Sequence, residues 1–184
     1  MEAEICRLGP DHLPAAGRLL DEAVGTGFWD AGDADAELSL VAVTGPRVSG
    51  VLLARLAPRA ELPEVDEASV DTLGGPADRV LHVREIAVAP EARRCGLASR
   101  LLARAETEAA ARGAVAAFVY AWLPAGLPEP TSTRFYARAG YRAGKDLAGF
   151  YAAGSVVSGA RCPYCGAPPC RCAARPYVKF LPTG

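Results

Sequence analysis

The chain has 184 residues, of which 51% are hydrophobic, and its formal net charge is −1 at neutral pH. This length is enough for one well-buried domain with a small appendage, and the near-zero charge provides no field that would gather nucleic acid or anionic lipid. The longest apolar run, residues 114–123, is half of the ~20 residues that a membrane-spanning helix needs. The N-terminal segment carries acidic residues and no apolar signal core, so we expect a cytoplasmic protein.

The first part of the chain predicts a strand, a helix and a hairpin. Residues 4–8 are a short strand, and apolar residues recur at helical spacing over residues 10–24. Residues 25–36 are predicted to be a loop or a short second helix. Residues 38–44 and 48–57 are two strands joined by a tight turn that contains glycine and proline.

Strand and helix patterns then alternate. The acidic segment 60–79 is predicted to be a loop. Residues 80–89 are rich in β-branched side chains and stop at Pro90, which is typical of a strand. From Leu97 the apolar residues repeat at helical spacing until Gly113, which predicts an amphipathic helix.

The last part of the chain predicts two further strand regions and one short helix. Residues 114–123 read as a central strand, and residues 132–139 as a helix that ends at Gly140. Residues 149–158 and 175–181 are both predicted to be strands and to form a final hairpin. Strands and helices in this order predict an α/β fold with a mixed sheet.

The segment RRCGLA, residues 93–98, lies between the predicted strand 80–89 and the helix that follows it. It therefore occupies the first helical turn, where backbone N–H groups have no intrahelical partner and the helix dipole is positive. Gly96 lets a ligand approach the main chain closely. The segment predicts an anion site that a diphosphate fits, although neither the GxGxxG nor the GKS/GKT signature is present.

Two segments resemble one known family. The run VREIAVAPEARRCGLASRLL, residues 83–102, is similar to the R/Q-x-x-G-x-G/A pyrophosphate loop of the GNAT superfamily of N-acetyltransferases. TSTRFYARAGY, residues 131–141, resembles a second segment of that family, and the order of elements matches over about residues 1–158. The resemblance implies a mixed, mostly antiparallel sheet flanked by helices, and acetyl-CoA as co-substrate.

The resemblance also implies a coenzyme site. The loop would hold the pyrophosphate, and the main chain of residues 86–88 would pair with the pantetheine arm. The coenzyme-binding residues expected on this basis are Ile86, Ala87, Val88, Arg93, Arg94, Cys95, Gly96, Leu97, Ala98 and Ser99. The family often has an asparagine before its second segment, whereas Glu129 and Pro130 stand here, so part of the coenzyme contact differs.

Acetyl transfer needs a base for the amine and an acid for the leaving thiolate. By resemblance the base comes from strand 80–89, or acts through a water held there; Glu85 is the first candidate and His82 the second. They are three positions apart, so ideal pleating puts them on opposite faces, and a bulge, which the family commonly has, would bring either to the cleft. Tyr136 aligns with the family's tyrosine near the coenzyme sulfur, where a phenol can protonate the thiolate.

Four of the six cysteines cluster in CPYCGAPPCRC, residues 162–172. A CPxCG turn directs two thiolates at one ion, and a second pair completes a tetrahedral shell. The expected ligands are Cys162, Cys165, Cys170 and Cys172. Zinc is the expected metal, a rubredoxin-like iron site has the same ligand set, and reduced thiols or two disulfides are the metal-free alternatives.

A shell of four thiolates has no open position, so we expect a structural metal that clips the last hairpin. The chain is accordingly divided into a GNAT-like acetyltransferase domain, residues 1–158, and a zinc-knuckle hairpin, residues 159–184, that completes the sheet. Basic neighbours of the knuckle raise the alternative of a nucleic-acid or protein partner. These neighbours are Arg161, Arg171, Arg175 and Lys179.

The expected function is transfer of an acetyl group from acetyl-CoA to a primary amine, on a small molecule or on a protein lysine or N-terminus, through a ternary complex. The alternative is a non-catalytic acyl-CoA-binding or protein-interaction module that docks through the zinc hairpin. No membrane and no nucleic acid are expected as partners, and a homodimer is left open.

The acceptor itself is not identified by the sequence. Trp122 either lines the acceptor cleft or fills the core. Acidic residues of two loops would favour a cationic amine if they border the cleft; the alternative is that they are simply solvated. These acids are Asp30, Asp33, Asp35, Glu37, Glu61, Glu64, Asp66, Glu67 and Asp71.

Overall fold

The computed structural model describes residues 3–30, 32, 38–62, 75–128 and 130–182. The strands of this part of the chain are β1 (Glu4–Arg7), β2 (Leu40–Thr44), β3 (Arg47–Pro58), β4 (Arg79–Val88), β5 (Ala114–Leu123), β6 (Arg142–Ala143) and β7 (Ala173–Phe180). The helices are α1 (Leu13–Val24), α2 (Leu97–Ala110), α3 (Thr131–Arg138) and α4 (Ala152–Ser158), with single 3-10 turns at Pro10–His12, Arg59–Glu61 and Pro90–Ala92.

The strands form one sheet in the order β1-β2-β3-β4-β5-β7-β6. All neighbours are antiparallel except β4 and β5, which run parallel. This confirms the predicted mixed, mostly antiparallel sheet. The parallel ladder begins at Arg79 opposite Ala114 and ends at Val83 opposite Val119, so the two strands part over their second halves.

Helices cover both faces of the sheet because alternate residues of its central strands are apolar on both sides. Leu52 of β3 belongs to the core beneath α2, and its neighbour Leu53 to the core beneath α1. Helix α2 comes close to β3 at Gly50, where a Cβ atom would lie 3.1 Å from Leu101. A glycine at this position therefore sets the separation between α2 and the sheet.

Strand β4 contains a β-bulge at Arg84. Leu53 of β3 pairs with Glu85, whereas the next residue, Ala54, pairs with Val83, so Arg84 is the extra residue. An extra residue reverses the alternation of side chains along the strand. His82 and Glu85 consequently lie on one face of β4.

The structure corrects one predicted strand. Residues 149–158 were expected to be the first arm of the last hairpin, but residues 152–158 form helix α4. The partner that precedes β7 in the last hairpin is instead β6, which pairs through Arg142 with Val178. The cysteines lie in the long connection between these two strands, after α4.

The other predicted elements are confirmed within about two residues at their ends, except segment 25–36, of which residues 31 and 33–36 lie outside the described residues. Most of the predicted loop 60–79 lies outside the described residues. The division of the chain at residue 158 stays a prediction, as do a homodimer and a cytoplasmic location. None of the helices in the described part of the chain has the length and apolar character that crossing a bilayer requires.

Candidate active site and cysteine cluster

The loop between β4 and α2 presents main-chain groups to solvent. Arg94 and Gly96 both have left-handed backbone conformations, with φ of +62° and +78°. The first intrahelical bond runs from the N–H of Arg100 to the carbonyl of Gly96, at 3.0 Å. The N–H groups of the preceding helical residues therefore point out of the helix end, as the sequence predicted for an anion site.

The side chains of this loop differ in their exposure to solvent. Arg93, Arg94, Cys95, Gly96 and Ser99 are exposed, and Ala98 is half-buried.

The Nε of Arg93 donates to the carbonyl of Val88 at 3.0 Å, and the thiol of Cys95 donates to the carbonyl of Ala92 at 2.8 Å. The first bond holds the loop against the end of β4, and the second closes a turn within the loop itself. Leu97 is buried in the core beneath α2, so only its main chain faces solvent.

A cavity of about 410 Å³, which we call the central cavity, opens where β4 and β5 part. Glu85 and His82 of β4 and Tyr136 of α3 all line it. The three residues expected to carry the chemistry therefore meet in one place, although they come from two elements. Ile86 lines the same cavity, whereas Ala87 is buried towards α1 and Val88 packs towards α2.

The phenol of Tyr136 is buried, with 3% of the residue exposed. Burial first, and then the negative charge of Glu85, raise the pKa of Tyr136 above its usual range. The pKa of Tyr151 is raised by the same two causes in the same order. Both phenols are thus held in the protonated form near neutral pH, within the field of the Glu85 carboxylate.

Aromatic side chains form a large part of the wall of the central cavity. Residues on this wall that sequence analysis did not assign are Phe28, Tyr120, Phe150, Tyr151 and Tyr164. Trp122 lines the cavity and also packs against the buried cysteine cluster, and that it borders an acceptor stays a prediction. The aromatic pair Phe150-Tyr151 was a visible signal, but the other rings come from distant segments that only the fold brings together.

A second groove, of about 510 Å³, lies between α2 and α3. Ser99 borders it together with the cationic residues Arg134 and Arg138. Thr131, the first residue of α3, lines both this groove and the central cavity. The two spaces therefore meet at the N-terminal turn of α3.

The four clustered cysteines bring their sulfur atoms within 4.8 Å of one another. The Sγ of Cys172 lies 3.7 Å from that of Cys162 and 3.5 Å from that of Cys165. A tetrahedral zinc ion with Zn–S bonds of about 2.3 Å separates its sulfurs by about 3.8 Å. The spacing fits such an ion, and the sulfurs are too far apart for disulfides, which need about 2.05 Å.

Main-chain donors surround these sulfurs. The N–H groups of Tyr164 and Cys165 donate to the Sγ of Cys162 at 3.4 and 3.3 Å, and that of Arg171 donates to the Sγ of Cys165 at 3.3 Å. Such bonds orient metal ligands and stabilise thiolates. The donor set and its surroundings fit a divalent cation held by four thiolates.

Residues 162–172, which we call the knuckle, are attached to the segment that follows α1 and to α4. The N–H of Arg161, just before the knuckle, donates to the carbonyl of Thr26 at 2.9 Å. A Cβ atom on Gly25 would lie 2.3 Å from the Arg161 carbonyl oxygen, so this contact needs glycine. The N–H of Cys170 donates to the Oγ of Ser155 at 2.9 Å.

Several predicted residues lie away from these sites. Asp30 and Glu61 are exposed and do not line the central cavity. Arg175 forms an ion pair with Asp146 on the sheet surface. Lys179 forms an ion pair with Glu106, and both of these residues line the groove between α2 and α3. The remaining loop acids lie outside the described residues: Asp33, Asp35, Glu37, Glu64, Asp66, Glu67 and Asp71. Glu129 lies outside them too.

The fold is similar to several solved acetyltransferases. NAA60 from Arabidopsis thaliana, in complex with a bisubstrate analogue, has a TM-score of 0.73 at 14% identity, covering 99% of both chains. The ribosomal-protein-S18-alanine N-acetyltransferase from Escherichia coli has a TM-score of 0.66 at 14% identity, covering 99% of this chain and 96% of its own. An apo agmatine N-acetyltransferase has a TM-score of 0.66 at 17% identity, covering 98% of this chain and 100% of its own.

At these identities the likeness shows the fold alone. No curated protein matches the sequence. A sequence profile described as the acetyltransferase (GNAT) family matches residues 10–141, which is well over half of the chain. The chain therefore belongs to the GNAT family of acetyltransferases.

Proposed function

We propose that this protein transfers the acetyl group of acetyl-CoA to a primary amine within a ternary complex of enzyme, coenzyme and acceptor. One observation carries the proposal: Glu85, His82 and Tyr136 line one cavity where β4 and β5 part, close to an exposed helix N-terminus. A proton acceptor and a proton donor on one cavity are what amide formation from a thioester needs.

The coenzyme is assigned to the gap between β4 and β5 and to the start of α2. The N–H groups of residues 96–99 and the guanidinium groups of Arg93 and Arg94 would hold the pyrophosphate. The main chain of residues 86–88 would pair with the extended pantetheine arm. Arg134 and Arg138 border the neighbouring groove and suit a further phosphate of the coenzyme.

The acceptor is assigned to the central cavity. Glu85 takes a proton from the ammonium group, directly or through a water, and the freed nitrogen attacks the thioester carbonyl carbon. A C–N bond forms, the C–S bond breaks, and the phenol of Tyr136 gives its proton to the leaving thiolate. The attacking nitrogen loses its second proton to the resulting phenolate, directly or through a water, and Glu85 releases the first proton to solvent. His82 is the second candidate for the base, because it lies on the same face of β4.

Cys162, Cys165, Cys170 and Cys172 are proposed to hold one zinc ion, for which iron is the alternative with the same ligands. The bound ion would supply a closed cross-link within the knuckle and no open coordination position. Its role in this proposal is therefore structural.

An amine panel tests the proposed function. Purified protein is incubated with acetyl-CoA and, in turn, arylalkylamines, alkyl diamines, amino acids and short peptides, and release of the free thiol is followed. Amine-dependent thiol release, with the acetylated amine identified by mass spectrometry, is the expected result. Tight acetyl-CoA binding without thiol release for any amine would favour the non-catalytic binding module instead.

A further inference from the structure

The knuckle forms part of the wall of the central cavity. Tyr164, which stands between the ligands Cys162 and Cys165, lines the cavity. Its ring centroid lies 5.3 Å from that of Trp122, at an interplanar angle of 74°. The metal site and the proposed acceptor site are therefore separated by a single layer of side chains.

The buried sulfurs themselves complete this layer. Cys162, Cys170 and Cys172 form a buried cluster against which Phe28, Trp122 and Tyr151 pack. The ring centroid of Phe28 lies 5.9 Å from that of Trp122 and 6.0 Å from that of Tyr151. Unfolding of the knuckle would remove the packing contacts behind these three aromatic side chains of the cavity wall.

Hydrogen bonds at the knuckle also hold the aromatic side chains of the cavity in place. The bond from Arg161, which directly precedes the knuckle, to Thr26 fixes the segment that carries Phe28, and the bond from Cys170 to Ser155 fixes α4, the helix that follows Tyr151. Two elements that are remote in sequence are thus held around the cavity by one small loop.

The chemistry of this wall favours one kind of acceptor. Faces and edges of aromatic rings pack well against flat apolar groups, and their faces attract cations. Glu85 lines the same cavity and attracts an ammonium group, whereas Arg84, which also lines it, repels one, so the attraction for a cation is local to Glu85. A divalent ion with four thiolates carries a net charge of about −2, which adds to the attraction for a cation. An acceptor that carries a cationic amine next to a flat apolar group would bind both to the Glu85 carboxylate and to the aromatic wall.

We propose that the knuckle is a specificity-determining wall of the acceptor site: through Tyr164, packed on Trp122, it selects primary amines attached to a flat apolar group over amines on a plain charged chain. This inference rests on the acetyl transfer proposed above. Tyr164 touches the acceptor's apolar group in this proposal and takes no part in the proton transfers.

The activity test compares phenethylamine with putrescine as acceptors. We expect wild-type protein to prefer phenethylamine, and Tyr164→Ala to lower kcat/KM for phenethylamine about tenfold, because an aromatic contact is lost. The same variant should leave kcat/KM for putrescine, the KM for acetyl-CoA and the zinc content unchanged within about twofold. Arg171→Ala, an exposed knuckle residue outside the cavity, is the matched control and should change none of these values.

A second measurement does not depend on turnover. The chain has two tryptophans, so Trp29→Phe leaves Trp122 as the single fluorophore. In this background we expect phenethylamine to change Trp122 emission in the presence of CoA, Tyr164→Ala to weaken that binding, and removal of zinc by a chelator to shift the emission to longer wavelength.

The two measurements separate this inference from the proposed function. If no amine is acetylated but Trp122 reports phenethylamine binding that depends on Tyr164, the proposed function fails, and with it the role of Tyr164 in choosing an acetyl acceptor, while its contact with the bound amine is retained. If amines are acetylated and Tyr164→Ala leaves the preference for phenethylamine unchanged, the specificity wall is overturned. Trp122 emission that is indifferent to zinc removal and to phenethylamine also overturns it.

Discussion

Glu85 and His82 lie on the same face of β4, although three positions separate them in the sequence. The extra residue of the bulge, Arg84, reverses the alternation between them, and both side chains reach the central cavity. Geometry therefore supplies two candidates for the base on one side of the cleft. Their roles are separable by the pH dependence of the rate.

Glu85→Gln is expected to depress the acetylation rate most at low pH, by on the order of 100-fold. The acceptor amine is largely protonated there and needs a base, whereas at high pH it loses its proton to water and the rate partly recovers. Steady-state rates of wild type and variant over pH 6 to about 10 measure this effect with the most active amine.

His82→Ala is the paired variant for this experiment. A Glu85→Gln profile that runs parallel to wild type, together with a changed His82→Ala profile, would move the base to His82. If both profiles run parallel to wild type, a water chain or an amine that arrives unprotonated accounts better for the rate.

Tyr136→Phe should lower turnover by ~10²–10⁴ while leaving the Kd for acetyl-CoA nearly unchanged. The ring packs against Tyr141 and Tyr177 with centroids 5.6 Å away in each case, and phenylalanine keeps these contacts. Only the proton donor is lost. Calorimetry for the coenzyme and rate measurements for turnover separate the two effects.

The pH dependence gives a second check on Tyr136. Because burial and Glu85 raise its pKa, the phenol keeps its proton to a higher pH than a free tyrosine, whose pKa is about 10. The donor is present below the raised pKa and is lost only above it. Turnover should therefore not fall between pH 8 and about 10, and a loss of less than tenfold in Tyr136→Phe would show that another group protonates the thiolate.

Gly96→Asp should weaken acetyl-CoA binding on the order of 100-fold, because a carboxylate would lie against the pyrophosphate. No atom lies within 4 Å of the place where a Cβ atom would be, so the side chain meets no clash in the described part of the chain. The backbone there is left-handed, with φ of +78°, which asparagine tolerates as aspartate does.

Gly96→Asn is therefore a control of the same shape without the charge. It should bind acetyl-CoA clearly better than Gly96→Asp when both are measured by calorimetry on folded protein. Equal affinities for wild type and Gly96→Asp would mean that the pyrophosphate lies elsewhere.

The purified protein should contain one zinc ion per chain, and Cys170→Ser should lose it. Because a structural ion contributes to folding free energy, we expect the variant's Tm to fall by roughly 5–10 °C. Coenzyme affinity should fall less, since the loop at Gly96 belongs to β4 and α2. Elemental analysis, thermal unfolding and calorimetry give the three values.

Cys6→Ser serves as the comparison for this change, because Cys6 lies on β1, outside the cluster. It should keep a full complement of metal. Protein that is metal-free as purified, with a Tm that a chelator does not move, would contradict the metal site.

Periodicity predicted most of the fold but gave the wrong structure for residues 149–158. Valines and aromatic residues favoured a strand there, yet Val156 and Val157 are 59% and 89% exposed on α4. The buried residue of this helix is Ser155, whose hydroxyl accepts the N–H of Cys170. A bond to a residue so far along the chain leaves no trace in local periodicity.

Some parts of the candidate site could be predicted from local sequence motifs, and other parts could not. The loop at Gly96, the candidate acid and base and the cysteine cluster each have a local motif, so the sequence alone was enough to name them. The aromatic wall has none, because Phe28, Trp122 and Tyr164 are brought together only by the folded sheet and the knuckle. The family resemblance raised a bulge in this strand, but its place at Arg84 depends on pairing with β3, which a single strand's sequence does not reveal.

The position of β7 has a consequence for how fast the sheet assembles. Since β7 pairs with β5 on one side and with β6 on the other, β6 joins the sheet only after residues 144–172 have been looped back. The entropic cost of closing a loop grows with its flexible length, and a metal cross-link from Cys162 to Cys172 takes ten residues out of that length. The ion would thus lower the entropic cost of pairing β6 with β7. Stopped-flow refolding with and without zinc should therefore show faster folding of the metal-loaded chain.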